Sequence, residues 1–158
     1  MKSGIYTVIN TLVPLETARG PECPASLAAV RHRCYVGKAK DIEHRWLKAH
    51  VPFLLNGRHA CSYLLDAFHD WLRSDPDLLA LLNRSPAQFK AKWLVQREDG
   101  AQPAWDLGPF QFRVLETVPE ELLTAREDVY HGANVNGYVG SDPAKRYRRW
   151  QTWDGKLD

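Results

Sequence analysis

Two short apolar strands, each with a tyrosine close to a glycine, limit the folds available to this chain. Residues 4–13 open with Gly4-Ile5-Tyr6 and stop at Pro14, and residues 33–37 close with Tyr35-Val36-Gly37. Side chains alternate between the two faces of a strand, so neighbouring strands can present their tyrosines on one face of a sheet. The sequence therefore predicts an antiparallel pair of strands with two phenols on the same face.

The segment after the second strand predicts a helix that carries an arginine. Asp41 is a good N-cap residue, because its carboxylate can accept hydrogen bonds from the free amides of the first helical turn. We expect this helix to run to about residue 50 and to end before Pro52. An apolar face starts at Ile42 and recurs at the i+4 and i+7 positions. Arg45 lies at the edge of that face, where it can reach inward or extend its charge to water.

The rest of the pattern favours an α/β protein of the α+β kind. Phe110 begins a half-buried strand, because apolar and polar residues alternate after it. The expected architecture is a small central antiparallel β-sheet of about three strands, flanked by helices. The further helices are predicted at residues 60–73, 76–83 and 119–131.

Composition bounds the class of protein more than its function. The chain of 158 residues fits one domain with its own hydrophobic core. A net charge of +2 is too small to indicate nucleic-acid binding by itself. Cys23, Cys34 and Cys61 form no CxxC pair, which disfavours a disulfide framework or a zinc site and favours a reducing compartment, the cytoplasm. No apolar run is long enough to span a membrane, and no signal peptide is expected.

The order of the motifs is similar to that of the GIY-YIG nuclease superfamily. Gly4-Ile5-Tyr6 matches the first motif and Tyr35-Val36-Gly37 is a YVG variant of the second. An arginine, a histidine and a late glutamate follow in the superfamily's order. The resemblance covers residues 3–70 and 110–140. It implies a nuclease domain over residues 1–140, enlarged by insertions at about 14–32 and 74–108 and followed by a basic-aromatic tail over 141–158.

The resemblance implies a single site for phosphodiester hydrolysis. Tyr6 is the implied general base, although a phenol with an ordinary pKa needs about 4 kcal/mol of help to act near pH 7. The alternative interpretation of Tyr6 is a structural one, in which its ring packs in the hydrophobic core. Tyr35 would orient water or phosphate, and Arg45 would hold the scissile phosphate bidentately. His59 is the favoured relay for the Tyr6 proton, and His50 is the alternative.

Glu127 is the implied metal ligand. A single carboxylate suits Mg²⁺, which keeps most of its waters and takes other ligands from phosphate, and Mn²⁺ is the expected substitute. A solvated surface carboxylate is the structural alternative. The resemblance implies a Mg²⁺-dependent DNA endonuclease whose products carry a 5′ phosphate and a 3′ hydroxyl.

DNA is the expected partner, with no membrane and no obligatory protein partner. The candidate nucleic-acid-binding residues are Lys38 and Lys40 beside the second motif and Arg146, Arg148 and Arg149 in the tail. Alternatively, the tail is a charged, frayed terminus that does not bind nucleic acid. A non-catalytic nucleic-acid-binding module with the same fold, or a nuclease that prefers RNA or single strands, are the alternatives for the whole chain. The resemblance also favours a stand-alone nuclease of modest sequence preference, encoded by a phage or mobile element.

Overall fold

A five-stranded antiparallel sheet forms the centre of the protein. The computed structural model describes residues 2–59 and 61–138. The strands in these residues are β1 (Gly4–Pro14), β2 (His32–Ala39), β3 (Leu94–Asp99), β4 (Gln102–Leu107) and β5 (Phe110–Thr117). They follow the order β2-β1-β5-β4-β3, and every neighbouring pair is antiparallel. The two strands that carry the tyrosine motifs therefore lie side by side at one edge.

Helices flank this sheet. A π-helical segment, Trp46–His50, joins two short α-helices without a break, and a 3₁₀ turn, Glu120–Leu122, precedes the last helix. No helix within residues 2–59 and 61–138 has the length and apolar character needed to cross a membrane. The α-helices are α1 (Ala25–Ala28), α2 (Ile42–Arg45), α3 (Val51–Leu55), α4 (Ser62–Arg73), α5 (Pro76–Arg84), α6 (Pro86–Trp93) and α7 (Leu123–Ala133).

The sheet separates two hydrophobic clusters, because successive residues of β1 point to opposite faces. Tyr6 and Val8 belong to the larger cluster, which also contains buried side chains from α2 to α6. Ile5 and Ile9 belong to the smaller cluster, which contains side chains from α1 and α7. Tyr6 is thus a core residue as well as a candidate site residue.

The α+β class agrees with the sequence prediction, but the predicted sheet of about three strands is wrong. Two further strands, β3 and β4, form a hairpin, and β4 pairs with β5. Gly100 has a φ of +60° and lies in the hairpin turn. Pro103 pairs with Glu98 of β3 and precedes the residues of β4 that pair with β5. Proline is tolerated at that position, near the start of a strand.

The helix after β2 is longer than predicted. It continues through Pro52 to Leu55 because the residues before Pro52 are π-helical. The Val51 amide donates to the Trp46 carbonyl, five residues back rather than four. This wider turn accommodates the Pro52 ring, which clashes with the preceding turn of a regular α-helix.

Candidate active site

The two motif tyrosines lie on the same face of the sheet. In the β1–β2 register, Tyr6 is opposite Gly37 and Val8 is opposite Tyr35, so the tyrosines are diagonal neighbours. Their ring centroids are 6.4 Å apart. Diagonal pairs in an antiparallel sheet are within reach of aromatic side chains. The strand pattern therefore brings two phenols together, as the sequence predicted.

The glycine of each motif is required by close packing. A Cβ atom on Gly37 would lie 2.6 Å from the Tyr6 hydroxyl, because the phenol lies across the Gly37 backbone. A Cβ atom on Gly4 would lie 2.1 Å from the Glu116 carbonyl oxygen. That contact is at the irregularity in the β1–β5 register, between Ile5 and Tyr6. Both glycines thus make room for protein atoms.

Arg45 brings a positive charge to the phenols from the end of α2. The residue is exposed, and the charge of its guanidinium partly offsets the rise that burial causes in the pKa of Tyr6. The same charge partly offsets the rise that burial causes in the pKa of Tyr35. A cation that is open to solvent and acts on the phenols through its charge can contact an incoming phosphate.

The π-helical segment brings a histidine to the same place as Arg45. In a regular α-helix, residues five apart are separated by about 140° around the axis. The extra residue of the Trp46–His50 segment reduces that separation, so Arg45 and His50 both reach Tyr6. The spacing alone did not predict this, because nothing in the local sequence distinguishes a π turn from an α turn.

A chain of two imidazoles lies behind Tyr6. The Tyr6 Oη is 2.5 Å from His50 Nε2, and His50 Nδ1 contacts His59 Nε2. The Cys61 amide donates to His59 Nδ1 over 2.9 Å. His50 is 3% exposed and His59 is 4% exposed. The two imidazole rings are within 22° of coplanar, as a hydrogen bond between ring nitrogens requires, and the Tyr35 ring lies edge-on to both of them. His50 is therefore the direct partner of Tyr6, and His59 is the partner of His50.

Burial controls the protonation of this chain. It raises the pKa of Tyr6 far above its ordinary value, and the neighbouring Tyr35 adds to that rise. It also raises the pKa of Tyr35. Burial lowers the pKa of His50 well below its ordinary value, and it lowers the pKa of His59 to about 4. Phenols and imidazoles are all neutral near pH 7 in this state of the protein.

Glu127 of α7 acts on the phenols through its charge, and its ion-pair partners are Lys38 of β2 and His131. Its carboxylate lies 3.8 Å from Lys38 Nζ and 3.8 Å from His131 Nε2. The side chain is 17% exposed, and its negative charge raises the pKa of both Tyr6 and Tyr35. His131 was not predicted from the sequence as a partner of Glu127, although its i+4 spacing from Glu127 is the spacing at which side chains on a helix meet.

A divalent cation at this place would depend on Glu127. Residues 2–59 and 61–138 contain no group of three or more histidine, cysteine or acidic side chains able to hold a metal. The Glu127 oxygens lie at ion-pair rather than hydrogen-bond distance from Lys38 and His131, so their lone pairs are not taken up by these two side chains. One carboxylate of this kind fits Mg²⁺, which keeps most of its waters.

The other predicted contacts lie away from the phenols or outside the described residues. Lys40 Nζ is 3.9 Å from a Glu120 oxygen in an exposed pair. Such a pair contributes little to stability, so Lys40 is available to bind a phosphate. The tail arginines Arg146, Arg148 and Arg149 lie outside the described residues.

The chain was compared with protein-family models, curated proteins and solved structures, and none of them matches it. The resemblance to the GIY-YIG superfamily therefore depends on the sequence motifs alone.

Proposed function

We propose that the protein is a Mg²⁺-dependent endonuclease of the GIY-YIG type that hydrolyses phosphodiester bonds in DNA. One observation carries the proposal, which is the convergence of chemically suitable groups from segments far apart in the chain. They come from β1, from β2, from the end of α2, from the π-helical segment, from the loop before α4, and from α7. In that order they are Tyr6, Tyr35, Arg45, His50, His59 and Glu127. A protein core has no structural need for so many polar and ionisable groups together.

Each group has a role that its surroundings support. Arg45 binds the scissile phosphate and stabilises the negative charge that develops at phosphorus. Tyr6, as the phenolate, accepts the proton of the attacking water, and Tyr35 orients water or phosphate through its hydroxyl. The Arg45 cation beside the phenol favours that phenolate and opposes the effect of burial. Lys38 and Lys40 contribute contacts to the DNA backbone, together with the tail arginines.

Glu127 would hold Mg²⁺, with Mn²⁺ as a substitute. When bound, the metal would supply positive charge to the phosphate oxygens and to the leaving 3′ oxygen. The cytoplasm is the compartment that we propose, because Cys23, Cys34 and Cys61 are all free thiols.

A non-catalytic nucleic-acid-binding module is the second candidate function. Tyr6 is only 1% exposed, and the pKa of its hydroxyl is raised far above the ordinary value. A buried phenol with a raised pKa suits a structural role, in which Tyr6 supports a phosphate-binding surface formed by Arg45 and Lys38.

Cleavage of supercoiled plasmid DNA in Mg²⁺, and again in EDTA, separates the two candidates. We expect metal-dependent nicking that falls about 100-fold or more in Arg45→Ala and in Glu127→Gln, the range for lost transition-state charge stabilisation. Arg84→Ala and Glu121→Gln are the matched controls, because they remove exposed charges outside the site. Binding to DNA without nicking in any metal would support the non-catalytic binding module. Faster cleavage of RNA or of single strands would show that double-stranded DNA is not the preferred substrate.

A further inference from the structure

A chain of hydrogen bonds runs inward from the Tyr6 hydroxyl through two imidazoles to a backbone amide. Tyr6 Oη is 2.5 Å from His50 Nε2, His50 Nδ1 contacts His59 Nε2, and the Cys61 amide is 2.9 Å from His59 Nδ1. Hydroxyls and neutral imidazoles can donate or accept, so most links of such a chain can run in either direction. The link from Cys61 has only one direction, because a backbone N–H is always a donor.

The direction of that last link sets the position of every other ring proton. A neutral imidazole has one N–H, on one of its two nitrogens. His59 Nδ1 accepts from the Cys61 amide, so its proton is on Nε2 and donates to His50 Nδ1. The His50 proton is then on Nε2 and donates to the Tyr6 oxygen.

We propose that His59 is a positioning residue that holds His50 as the Nε2–H tautomer, so that His50 donates to the Tyr6 oxygen instead of accepting the Tyr6 proton. The tautomer follows from the geometry of the described residues. Its catalytic consequence rests on the proposed function, in which Tyr6 acts on water.

The opposite direction conflicts with the Cys61 amide. If His50 accepted from the phenol, its proton would be on Nδ1 and would donate to His59 Nε2. His59 would then have its proton on Nδ1, facing the Cys61 N–H, and two donors would meet. A buried amide would lose its acceptor, which native structures avoid. A second proton on either ring is also disfavoured, because burial lowers the pKa of both imidazoles.

The consequence is a defined path for protons. The Tyr6 proton leaves to solvent, and the phenolate that remains keeps the His50 N–H as a hydrogen-bond donor. During hydrolysis the water oxygen bonds to phosphorus and one water proton passes to the phenolate. The bond from phosphorus to the 3′ oxygen breaks, and that oxygen takes up a proton from solvent. His50 stays neutral throughout and stabilises the charge on Tyr6 without removing its proton.

The tautomers can be read directly by NMR in the whole chain labelled with ¹⁵N at histidine. Long-range ¹H–¹⁵N correlation spectra distinguish a protonated ring nitrogen from an unprotonated one. We expect His50 and His59 both to show a protonated Nε2 and an unprotonated Nδ1 at pH 7.5. A protonated Nδ1 on His50 would overturn the inference.

Two variants test the positioning role. In His59→Gln, the amide oxygen can accept from Cys61 while the NH₂ group donates to His50, so His50 keeps its tautomer and cleavage falls less than in a variant that lacks both groups. In His59→Phe, the ring remains but no group donates to His50 Nδ1. We expect a mixed His50 tautomer and cleavage about 10- to 100-fold slower, the loss typical of residues that orient a reacting group. Equal effects of the two substitutions on tautomer and rate would overturn the positioning role.

The NMR measurement and the cleavage assay can contradict the tautomer assignment and the proposed function separately. A parent protein that cleaves DNA but carries His50 as the Nδ1–H tautomer keeps the proposed function and loses this inference. A parent that cleaves nothing but carries His50 as the Nε2–H tautomer loses the proposed function, while the tautomer assignment stands. The NMR measurement on the parent needs no substitution, so poor folding of His59→Phe leaves the inference testable.

Discussion

Gly37 determines whether the two phenols fit on one face of the sheet. A methyl group at this position would enter the space of the Tyr6 hydroxyl, since the distance would be 2.6 Å. We expect Gly37→Ala to lower the free energy of unfolding by about 1–3 kcal/mol, as overpacking does, and to abolish cleavage by displacing Tyr6. Gly132→Ala is the control, because a Cβ atom there meets no atom within 4 Å and alanine favours the helix. Urea unfolding that ranks the two variants equally would contradict the close packing of Tyr6 on Gly37.

The buried imidazoles make stability depend on pH. Burial lowers the pKa of His59 from 6.5 to about 4, so the folded protein binds fewer protons than the unfolded chain between these values. The free energy of unfolding therefore has its full value above pH 6.5 and decreases as the pH falls towards 4. For a shift of this size the decrease is about 3 kcal/mol.

Urea unfolding at pH 7.5 and at pH 4.5 measures this loss. His59→Gln should show a smaller difference between the two pH values than the parent, because the glutamine does not titrate. The carboxylates contribute equally in both proteins and cancel in the comparison. The same pH dependence in both proteins would mean that His59 is accessible to protons in the folded state.

The proximity of the two tyrosines could be predicted from the sequence, but the contacts of the two histidines could not. The motif tyrosines were predictable because alternation along a strand fixes which face a side chain occupies. His59 was favoured over His50 as the partner of Tyr6, whereas His50 makes that contact. The order of the two histidines depends on a π turn and on the loop before α4, and neither leaves a sequence pattern.

At the scale of elements, the β3–β4 hairpin supports the helix that carries Arg45. Trp105 of β4 donates from Nε1 to the Glu43 carboxylate of α2 over 2.7 Å. A hydrogen bond to a charged group contributes about 1.5–3 kcal/mol, and this one is partly buried, so we expect a coupling near the lower figure. Trp105→Phe removes the donor and keeps a ring, while Glu43→Ala removes the acceptor.

A double-mutant cycle in urea isolates the Trp105–Glu43 link from the packing of the ring. Cleavage by Trp105→Phe should also fall, because α2 holds Arg45 beside Tyr6. Additive effects of the two substitutions would show that the Trp105–Glu43 hydrogen bond does not couple the hairpin to α2.

The elements were predictable where one physical signal dominated. An apolar, β-branched run identified β1, alternating side chains identified β5, and Asp41 marked the start of α2, where it accepts from the His44 amide. The hairpin was missed because Gly100 and Pro103 signal a turn and a strand start as readily as an irregular loop. The end of the helix was misplaced because Pro52 ends most helices and only a π turn accommodates it.

At the scale of the whole molecule, the candidate site joins the two sides of the sheet. Arg45, His50 and His59 belong to the layer over the larger cluster, whereas Glu127 comes from α7, which packs with the smaller cluster. The site therefore forms only when both layers are folded on β1 and β2. A ligand that bridges the two layers stabilises the folded chain as a whole, because it binds the native state and not the unfolded state.

Mg²⁺ should therefore raise the stability of the parent in the absence of DNA. At a Mg²⁺ concentration ten times the Kd, the free energy of unfolding should increase by about 1.4 kcal/mol. Glu127→Gln should show no such increase, since an amide keeps the shape of the side chain but loses the charge that a divalent cation requires. NaCl at matched ionic strength corrects for screening of the Lys38–Glu127 pair. Equal stabilisation of parent and Glu127→Gln by Mg²⁺ would show that the cation binds elsewhere, and the role of Glu127 as metal ligand would then be wrong.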